Sequence, residues 1–281
     1  LITITTKQEM QQLAKQHKAE GKSIGFVPTM GYLHVGHLKL VKEAKKSNDI
    51  IIMSIFVNPL QFGPGEDYDA YPRNPERDKQ LAEEAGVDIL FMPSLENMYR
   101  NEKSIGMTVL RRTNALCGIN RPGHFDGVVM VLSKLFNIIL PDRAYFGLKD
   151  AQQFAVVSGL VEDLDFPLKL VPVETVRESS GLAVSSRNVY LNDKERIQAA
   201  AIYKSLQKAK ELISNGVQDI EAIIGEVKDY MKANMKADID YVELLSFPEL
   251  EQIASPKGKV IIAAAVKFSK ARLIDNIIID I

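Results

Sequence analysis

The segment that most narrows the folds open to this chain runs from residue 23 to residue 44. Residues 23–27 are short and apolar, as a buried strand is, and residues 38–44 carry apolar side chains at helical spacing. Between them, Phe26-Val27-Pro28-Thr29-Met30-Gly31-Tyr32-Leu33-His34-Val35-Gly36-His37 breaks into a glycine-containing turn. Amides at the start of such a helix lack intrahelical partners and carry partial positive charge, which suits a phosphate. Gly31 and Gly36 allow close backbone approach. His34 and His37, three residues apart, meet on one face if they occupy that first turn. Isolated histidines usually serve the surface or the core. With 4 His and 17 Gly in 281 residues, however, a His-x-Gly-His match arises by chance only about 0.003 times.

The strand-turn-helix unit recurs along the chain. Thr6 and Glu9 form a capping-box pattern for a helix to about Glu20, closed by Gly21. Residues 49–57 are apolar almost throughout, as a strand covered on both faces should be. A loop over 58–74, rich in Pro, Gly, Asp and Tyr, is long enough to be functional or mobile. Asn74-Pro75-Glu76 opens a helix that Gly86 ends, and a strand is expected at 87–92. Gly123-His124-Phe125-Asp126-Gly127 leads into a helix through Ile139, followed by a short strand at 144–146. Gly147-Leu148-Lys149-Asp150 then repeats the first turn, with a helix over 151–164 and an extended stretch at 167–173. This alternation predicts an α/β fold, a Rossmann-like doubly wound parallel sheet with its loops at the strand C-terminal edge.

Near Arg177 the character changes. Polar loops at 179–181 and 185–188 precede a helix capped by Asn192 and Glu195 that runs to Asn215-Gly216, and a second helix from Asp219 to about Lys236. Strand-like segments at 239–245, 259–268 and 272–280 close the sequence. The expected division is therefore a Rossmann-like domain over 1–176 and a smaller C-terminal α+β lid domain over 177–281.

Composition excludes several classes. The 35 basic and 36 acidic residues nearly cancel, so overall charge marks no nucleic-acid partner. Cys117, the single cysteine, forms neither an intrachain disulfide nor a cysteine-based zinc site, which fits a reducing compartment and makes the cytoplasm the expected location. The first five residues are too short for a signal-peptide apolar region. Ser133, Lys134 and Asn137 interrupt the apolar stretch at 128–140, so no membrane span is expected. The chain has neither the P-loop pattern nor Gly-x-Gly-x-x-Gly, which turns attention back to the histidine turn for phosphate chemistry. Lys149, at a second strand-to-helix turn, and Arg187, after two hydroxyl residues, are candidate cations for a nucleotide's α-phosphate and departing pyrophosphate. Asp150 is either a ribose acceptor or an ordinary helix cap.

Six blocks stand in order along the first two-thirds of the chain. They are Pro28-Thr29-Met30-Gly31, His34-Val35-Gly36-His37, Val57-Asn58-Pro59-Leu60-Gln61-Phe62, Arg121-Pro122-Gly123-His124-Phe125-Asp126-Gly127, Tyr145-Phe146-Gly147-Leu148-Lys149-Asp150-Ala151-Gln152-Gln153 and Ser185-Ser186-Arg187-Asn188. Together they resemble the pantothenate synthetase (pantoate–β-alanine ligase) family of the His-x-Gly-His nucleotidyltransferase superfamily, as does the last segment, Phe268 onward through Asn276.

The resemblance implies an ATP-dependent ligase that joins (R)-pantoate to β-alanine through pantoyl adenylate, with Mg²⁺ accompanying ATP and a homodimeric assembly. By matching positions it implies His37 as proton donor and His34 as its phosphate-contacting partner. Met30, Gly31, Tyr32, Leu33, His34, Val35, Gly36 and His37 would form the first ATP segment. Gly147, Leu148, Lys149, Asp150, Val176, Val184, Ser185, Ser186 and Arg187 would complete the ATP site. Gln61 and Gln153 would hold pantoate, and Gln61 would also meet β-alanine. Val35 stands where an acidic residue is common, Tyr32 where a small one is, and Val184 where a longer side chain is usual. Arg77 beside Asp78 leaves no residue assignable to the metal. Two other readings stay open: a different adenylyltransferase on the same fold, and a nucleotide-binding regulatory module without catalysis.

Overall fold

In the computed structural model, which describes residues 1–99, 102 and 104–281, strands and helices alternate from the N-terminus. In chain order they are β1 (Ile2–Ile4), α1 (Lys7–Ala19), β2 (Ile24–Thr29), α2 (Val35–Ala44), β3 (Ile50–Ile55), α3 (Pro75–Ala85), β4 (Ile89–Phe91) and the single turn α4 (Leu95–Met98). There follow the single turn α5 (Cys117–Asn120), α6 (His124–Ile139), β5 (Arg143–Gly147), α7 (Ala151–Asp163) and β6 (Lys169–Val173). The chain ends with α8 (Asp193–Ser214), α9 (Ile220–Asn234), β7 (Asp238–Ser246), β8 (Lys259–Lys267) and β9 (Arg272–Asp280). These elements divide into two units. The first takes Leu1–Val109, Arg121–Leu148 and Val156–Glu174; the second takes Leu110–Asn120, Lys149–Ala155 and Thr175–Ile281.

The first unit is built on a parallel sheet in the order β1-β4-β3-β2-β5-β6. The order reverses between β2 and β5, and in an open α/β sheet the crevice outside the strand C-termini at such a reversal is where ligands bind. β2 delivers the histidine turn there and β5 delivers Gly147. The central strands are apolar on both faces because both are covered. Val27, Leu40, Val41, Met53, Leu90 and Tyr145, among others, form one buried cluster. β1 has too few residues for a period to show in sequence, yet Ile2, Thr3 and Ile4 pair with Ile89, Leu90 and Phe91 to extend the sheet.

Helix α6 begins at His124, within the segment 123–127 expected to lead into it. Gly123 serves as its N-cap at φ 78°, and Gly127 lies inside the helix. A Cβ at Gly127 would fall 2.1 Å from the Leu60 carbonyl oxygen. The helix therefore accepts a poor helix former so that the 3₁₀ turn at Pro59–Gln61 can lie directly against it.

In the second unit, β7, β8 and β9 form an antiparallel sheet. Every residue of β8 between Lys259 and Lys267 is buried. The reason is double coverage: Ile202, Leu206, Ile223, Val227 and Met231 of α8 and α9 pack against Val260, Ile262, Ala264 and Val266, while Ala115, Leu116, Ala151 and Ala155 pack with Ile261 and Ala263. Asn192 and Glu195 cap α8 reciprocally, as expected. Among the described residues no helix is long and apolar enough to cross a membrane.

Candidate active site

His34 is the N-cap of α2, one position outside the helix, and His37 is its third helical residue. The Gly36 N–H donates to His34 Nδ1 at 3.2 Å, and the His34 N–H donates to His37 Nδ1 at 3.3 Å. This is a capping box written in imidazoles. A Cβ at Gly36 would lie 2.9 Å from His34 Cε1 and Nδ1, so glycine is what lets that ring fold over the first turn. The two rings stack with centroids 4.0 Å apart and planes 23° from parallel. Since each Nδ1 accepts a backbone N–H, each neutral ring must carry its proton on Nε2. The backbone thus sets both histidines to the same tautomer, with Nε2–H as the donor. No acidic side chain occupies the first turn of α2.

The amides preceding the helix have partners within the protein. Gly31 N–H donates to Thr29 Oγ1 at 3.2 Å, and the amides of Tyr32 and Leu33 each donate to Asp78 at 2.7 Å. Leu33 is fully buried and its side chain belongs to the core. Tyr32 adopts φ 49° and Gly31 φ 88°. Met30, Gly31, Tyr32, Tyr68, Arg73 and Asp78 line a cavity of about 210 Å³ beside the turn.

Gln61 is brought to the same turn, its Nε2 lying 3.0 Å from Met30 Sδ. Its amide is oriented by Asn58, buried at 1 % exposure, which donates to Gln61 Oε1 at 3.2 Å and to the Gly127 carbonyl at 3.0 Å. The Asn58 Oδ1 in turn accepts from Leu60 N–H and Tyr99 O–H. Asn58 lies in one of the resembling blocks, yet nothing in the sequence singles it out from its neighbours.

The loop after Gln61 packs on itself. Phe62 meets Tyr68 and Tyr71 edge-on at 5.3 and 6.1 Å, and Arg73 donates to the carbonyls of Tyr68, Asp69 and Tyr71. A clasp ties it to α6: Arg121 pairs with Glu66 through Nε and Nη2, donates to the Gln61 carbonyl at 3.3 Å and meets His124 Nε2 at 3.1 Å. His124 Nδ1 lies 2.7 Å from the same Gln61 carbonyl, which only a protonated Nδ1 can satisfy. Burial raises the pKa of the Glu66 carboxyl, but the hydrogen bond and charge of Arg121 outweigh it and hold the group below its ordinary value. A depressed folded-state pKa stabilises above the unfolded value of about 4.3, and that stabilisation is lost as pH falls through the folded value. Glu66→Gln is therefore expected to lower stability by about 1 kcal/mol near neutral pH. Urea midpoints of the two proteins should converge in acid; a constant gap from pH 7 to pH 2 would exclude the clasp as its source.

In the second unit, Lys149 follows β5 in a 3₁₀ turn, Leu148–Asp150, whose first residue belongs to the first unit. Its ammonium lies 3.3 Å from Asp150 Oδ1, an exposed pairing of small worth, and its carbonyl accepts from Asn276 Nδ2 at 2.9 Å. The 185–188 segment is a 3₁₀ turn, Ser186–Tyr190, rather than a polar loop; Ser185 Oγ caps it by accepting from Arg187 N–H. Val184 N–H donates to the Val176 carbonyl at 2.9 Å, which closes the hairpin leading into that turn. Arg187 is half-buried. Lys149, Ser185, Asn188 and Asp275 line a cavity of about 10 Å³, room for a single water. Asn188 Nδ2 is held by the Ala183 carbonyl, while its buried Oδ1 has no hydrogen-bond partner among the described residues.

The two adjacent glutamines of α7 differ. Gln152 is buried and structural, accepting from Cys117 N–H and donating to the carbonyls of Arg112 and Ala115. Gln153 is half-buried.

The family model described as pantoate-beta-alanine ligase matches residues 2–278. A pantothenate synthetase from Geobacillus sp. (strain WCH70) is 57% identical over 281 residues, covering 100% of both chains. One from Bacillus subtilis (strain 168) is 59% identical over 278 residues, covering 99% of this chain and 97% of the relative. Among solved structures, pantothenate synthetase from Thermus thermophilus superposes with a TM-score of 0.93 at 42% identity, covering 99% of each chain. The pantoate-beta-alanine ligase of Francisella tularensis, solved as a complex with beta-gamma ATP and beta-alanine, superposes with a TM-score of 0.82 at 33% identity, covering 99% of this chain and 97% of its own.

Proposed function

The chain belongs to the pantoate–β-alanine ligase family, and from that premise we propose that it condenses (R)-pantoate with β-alanine, using ATP and releasing AMP and pyrophosphate. A carboxylate is a poor acylating agent. In the first step a pantoate carboxylate oxygen bonds to the α-phosphorus of ATP and the bond to the bridging oxygen of pyrophosphate breaks, giving a mixed anhydride. In the second, the β-alanine amine bonds to the acyl carbon, AMP leaves, and the amine gives up a proton.

The observation that carries this reading is the pair of stacked imidazoles whose Nδ1 atoms are both tied to backbone N–H groups. Two preset Nε2–H donors suit an α-phosphate gaining charge and a departing pyrophosphate, and preorganised donors need no rearrangement when charge develops. His37 is assigned as proton donor and His34 as its phosphate-contacting partner. The remaining ATP contacts are assigned to Met30–His37, Gly147–Asp150, Val176 and Val184–Arg187, with Lys149 and Arg187 supplying positive charge. Gln61 and Gln153 are assigned to pantoate, and Gln61 also to β-alanine.

Mg²⁺ is assigned to the triphosphate it accompanies. Among the described residues no three His, Cys, Asp or Glu side chains converge as a metal cage. Mg²⁺ is commonly held by one or two carboxylates together with substrate phosphates, whose charge it neutralises. A homodimer in the cytoplasm completes the proposal.

Exchange of labelled pyrophosphate into ATP tests the reading directly: it should require pantoate and proceed without β-alanine. Folded protein that shows no such exchange with pantoate, ATP and Mg²⁺ supplied is not this ligase. Gln61→Ala should raise the KM for pantoate by about 10-fold or more while leaving that for ATP nearly unchanged, because pantoate loses an amide partner and ATP does not. Equal weakening toward both substrates would remove Gln61 from pantoate recognition.

A further inference from the structure

We propose that Asp78 is a positioning residue for the His34–His37 pair, and that it acts by anchoring the backbone of the turn that carries them. This rests on the ligase reading above for its catalytic consequence but not for its geometry. Asp78 enters from the first turn of α3 and is 2 % exposed. Its Oδ2 accepts the Tyr32 N–H and its Oδ1 the Leu33 N–H, both at 2.7 Å. The adjacent Arg77 donates from Nη1 to the Leu33 carbonyl at 2.9 Å and lies over the Tyr32 ring at 5.3 Å. Two consecutive residues of α3 thus engage three backbone groups of two consecutive residues of the turn. His34 is the next residue, and its own N–H is what holds His37.

The surrounding residues fit this anchor. Tyr32 takes a left-handed backbone, φ 49°, that an L-residue adopts at a cost, and a charged acceptor on its amide holds it there. Gly31 has φ 88°, and a Cβ on it would lie 3.1 Å from Asp78 Oδ2 and 2.9 Å from Ile55 Cγ2. The glycine of the turn is therefore also what admits the carboxylate. Both Asp78 oxygens must be acceptors for the turn to hold its course, so the tautomer of two imidazoles depends on a side chain that is itself buried in a neighbouring helix.

Asp78→Asn tests this with little change of shape, since an amide places N–H₂ where one backbone N–H now donates. Pantoate-dependent pyrophosphate exchange should fall about 100-fold in kcat, the scale of a small misplacement of reacting groups, with the KM for pantoate little changed. Independently of any substrate, the ¹⁵N spectrum of the imidazoles should lose the pattern of an accepting Nδ1 and a protonated Nε2 at His34 and His37. Ile52→Val, a buried change in β3, supplies a stability-matched control that should alter neither readout. Should Asp78→Asn fail to fold, Arg77→Gln at a half-exposed position reports on the third anchor, with an expected fall of about 10-fold and the same spectral change. An unchanged imidazole spectrum in a folded variant, or a loss of exchange that Ile52→Val reproduces at equal Tm, overturns the proposal. Absence of exchange in the unaltered protein would instead refute the ligase reading, leaving the spectrum to judge Asp78.

Discussion

His37→Gln is expected to lose about 10³-fold of pantoate-dependent pyrophosphate exchange, equivalent to about 4 kcal/mol of transition-state stabilisation, while remaining folded. Glutamine is chosen because it separates the two tasks of this side chain. At the third position of a helix its Oε1 can accept the His34 N–H that His37 Nδ1 now takes, which preserves the cap. What glutamine lacks is the ring that stacks on His34 at 4.0 Å and presents a donor from its far side. The lost stacking and imperfect cap should amount to about 1 kcal/mol, a shift in melting temperature of about 2–4 °C for a domain of this size. Exchange kinetics and a thermal melt on the same sample decide the matter. Near-normal exchange removes His37 from the chemistry, whereas a collapse of the melt would mean that the ring is structural first.

Arg177→Ala should destabilise the second unit by about 3–5 kcal/mol. Arg177 meets Asp275 in a bidentate pair, Nη1 to Oδ2 at 2.6 Å and Nη2 to Oδ1 at 2.9 Å, with the carboxylate only 5% exposed. Its guanidinium also lies 3.6 Å from the centroid of Tyr203 on α8 and donates to the Gly181 carbonyl. One side chain thus joins the 176–184 hairpin, α8 and β9. Truncation leaves a buried carboxylate without its counter-charge, and that uncompensated charge, not the lost contact, sets the size of the effect. Replacing both partners, Arg177→Met with Asp275→Leu, should restore most of the loss.

The effect reaches the lysine turn as well. Asp275 Oδ1 accepts the Asn276 N–H, and Asn276 Nδ2 donates to the Lys149 carbonyl. Calorimetry of the single and double variants checks the stability claim. A single variant within about 1 kcal/mol of the unaltered protein would show that solvent already screens the pair.

How far the molecule is legible in its sequence depends on the range of the interaction involved. The strands at 49–57 and 259–268, the caps at Thr6, Asn74 and Asn192, and the change of character near Arg177 are local in sequence, and the elements formed there lie close to the expected ones. Gly127 looks like punctuation but lies inside α6; its reason is the Leu60 carbonyl 67 residues earlier in the chain. β1 exists because Ile89–Phe91 offers it an edge. In the candidate site, the motif marks His34, Gly36 and His37, but Asp78 and Asn58 have no local signal, since a carboxylate in a helix's first turn and an asparagine before a proline both have ordinary local uses.

By itself the sequence determined the class of fold and the turn where the phosphate chemistry is sought, because hydrophobic period, capping residues and a rare histidine spacing are all properties of neighbours along the chain; the family entered through the resemblance of six ordered blocks. Only the tertiary structure decided which of two adjacent glutamines is structural and which amides of the turn are already engaged. Those outcomes rest on partners such as Asp78, Cys117 and Arg112, brought within about 3 Å by packing between distant segments. A hydrogen bond is specific at that range and carries no trace in the residues on either side of it.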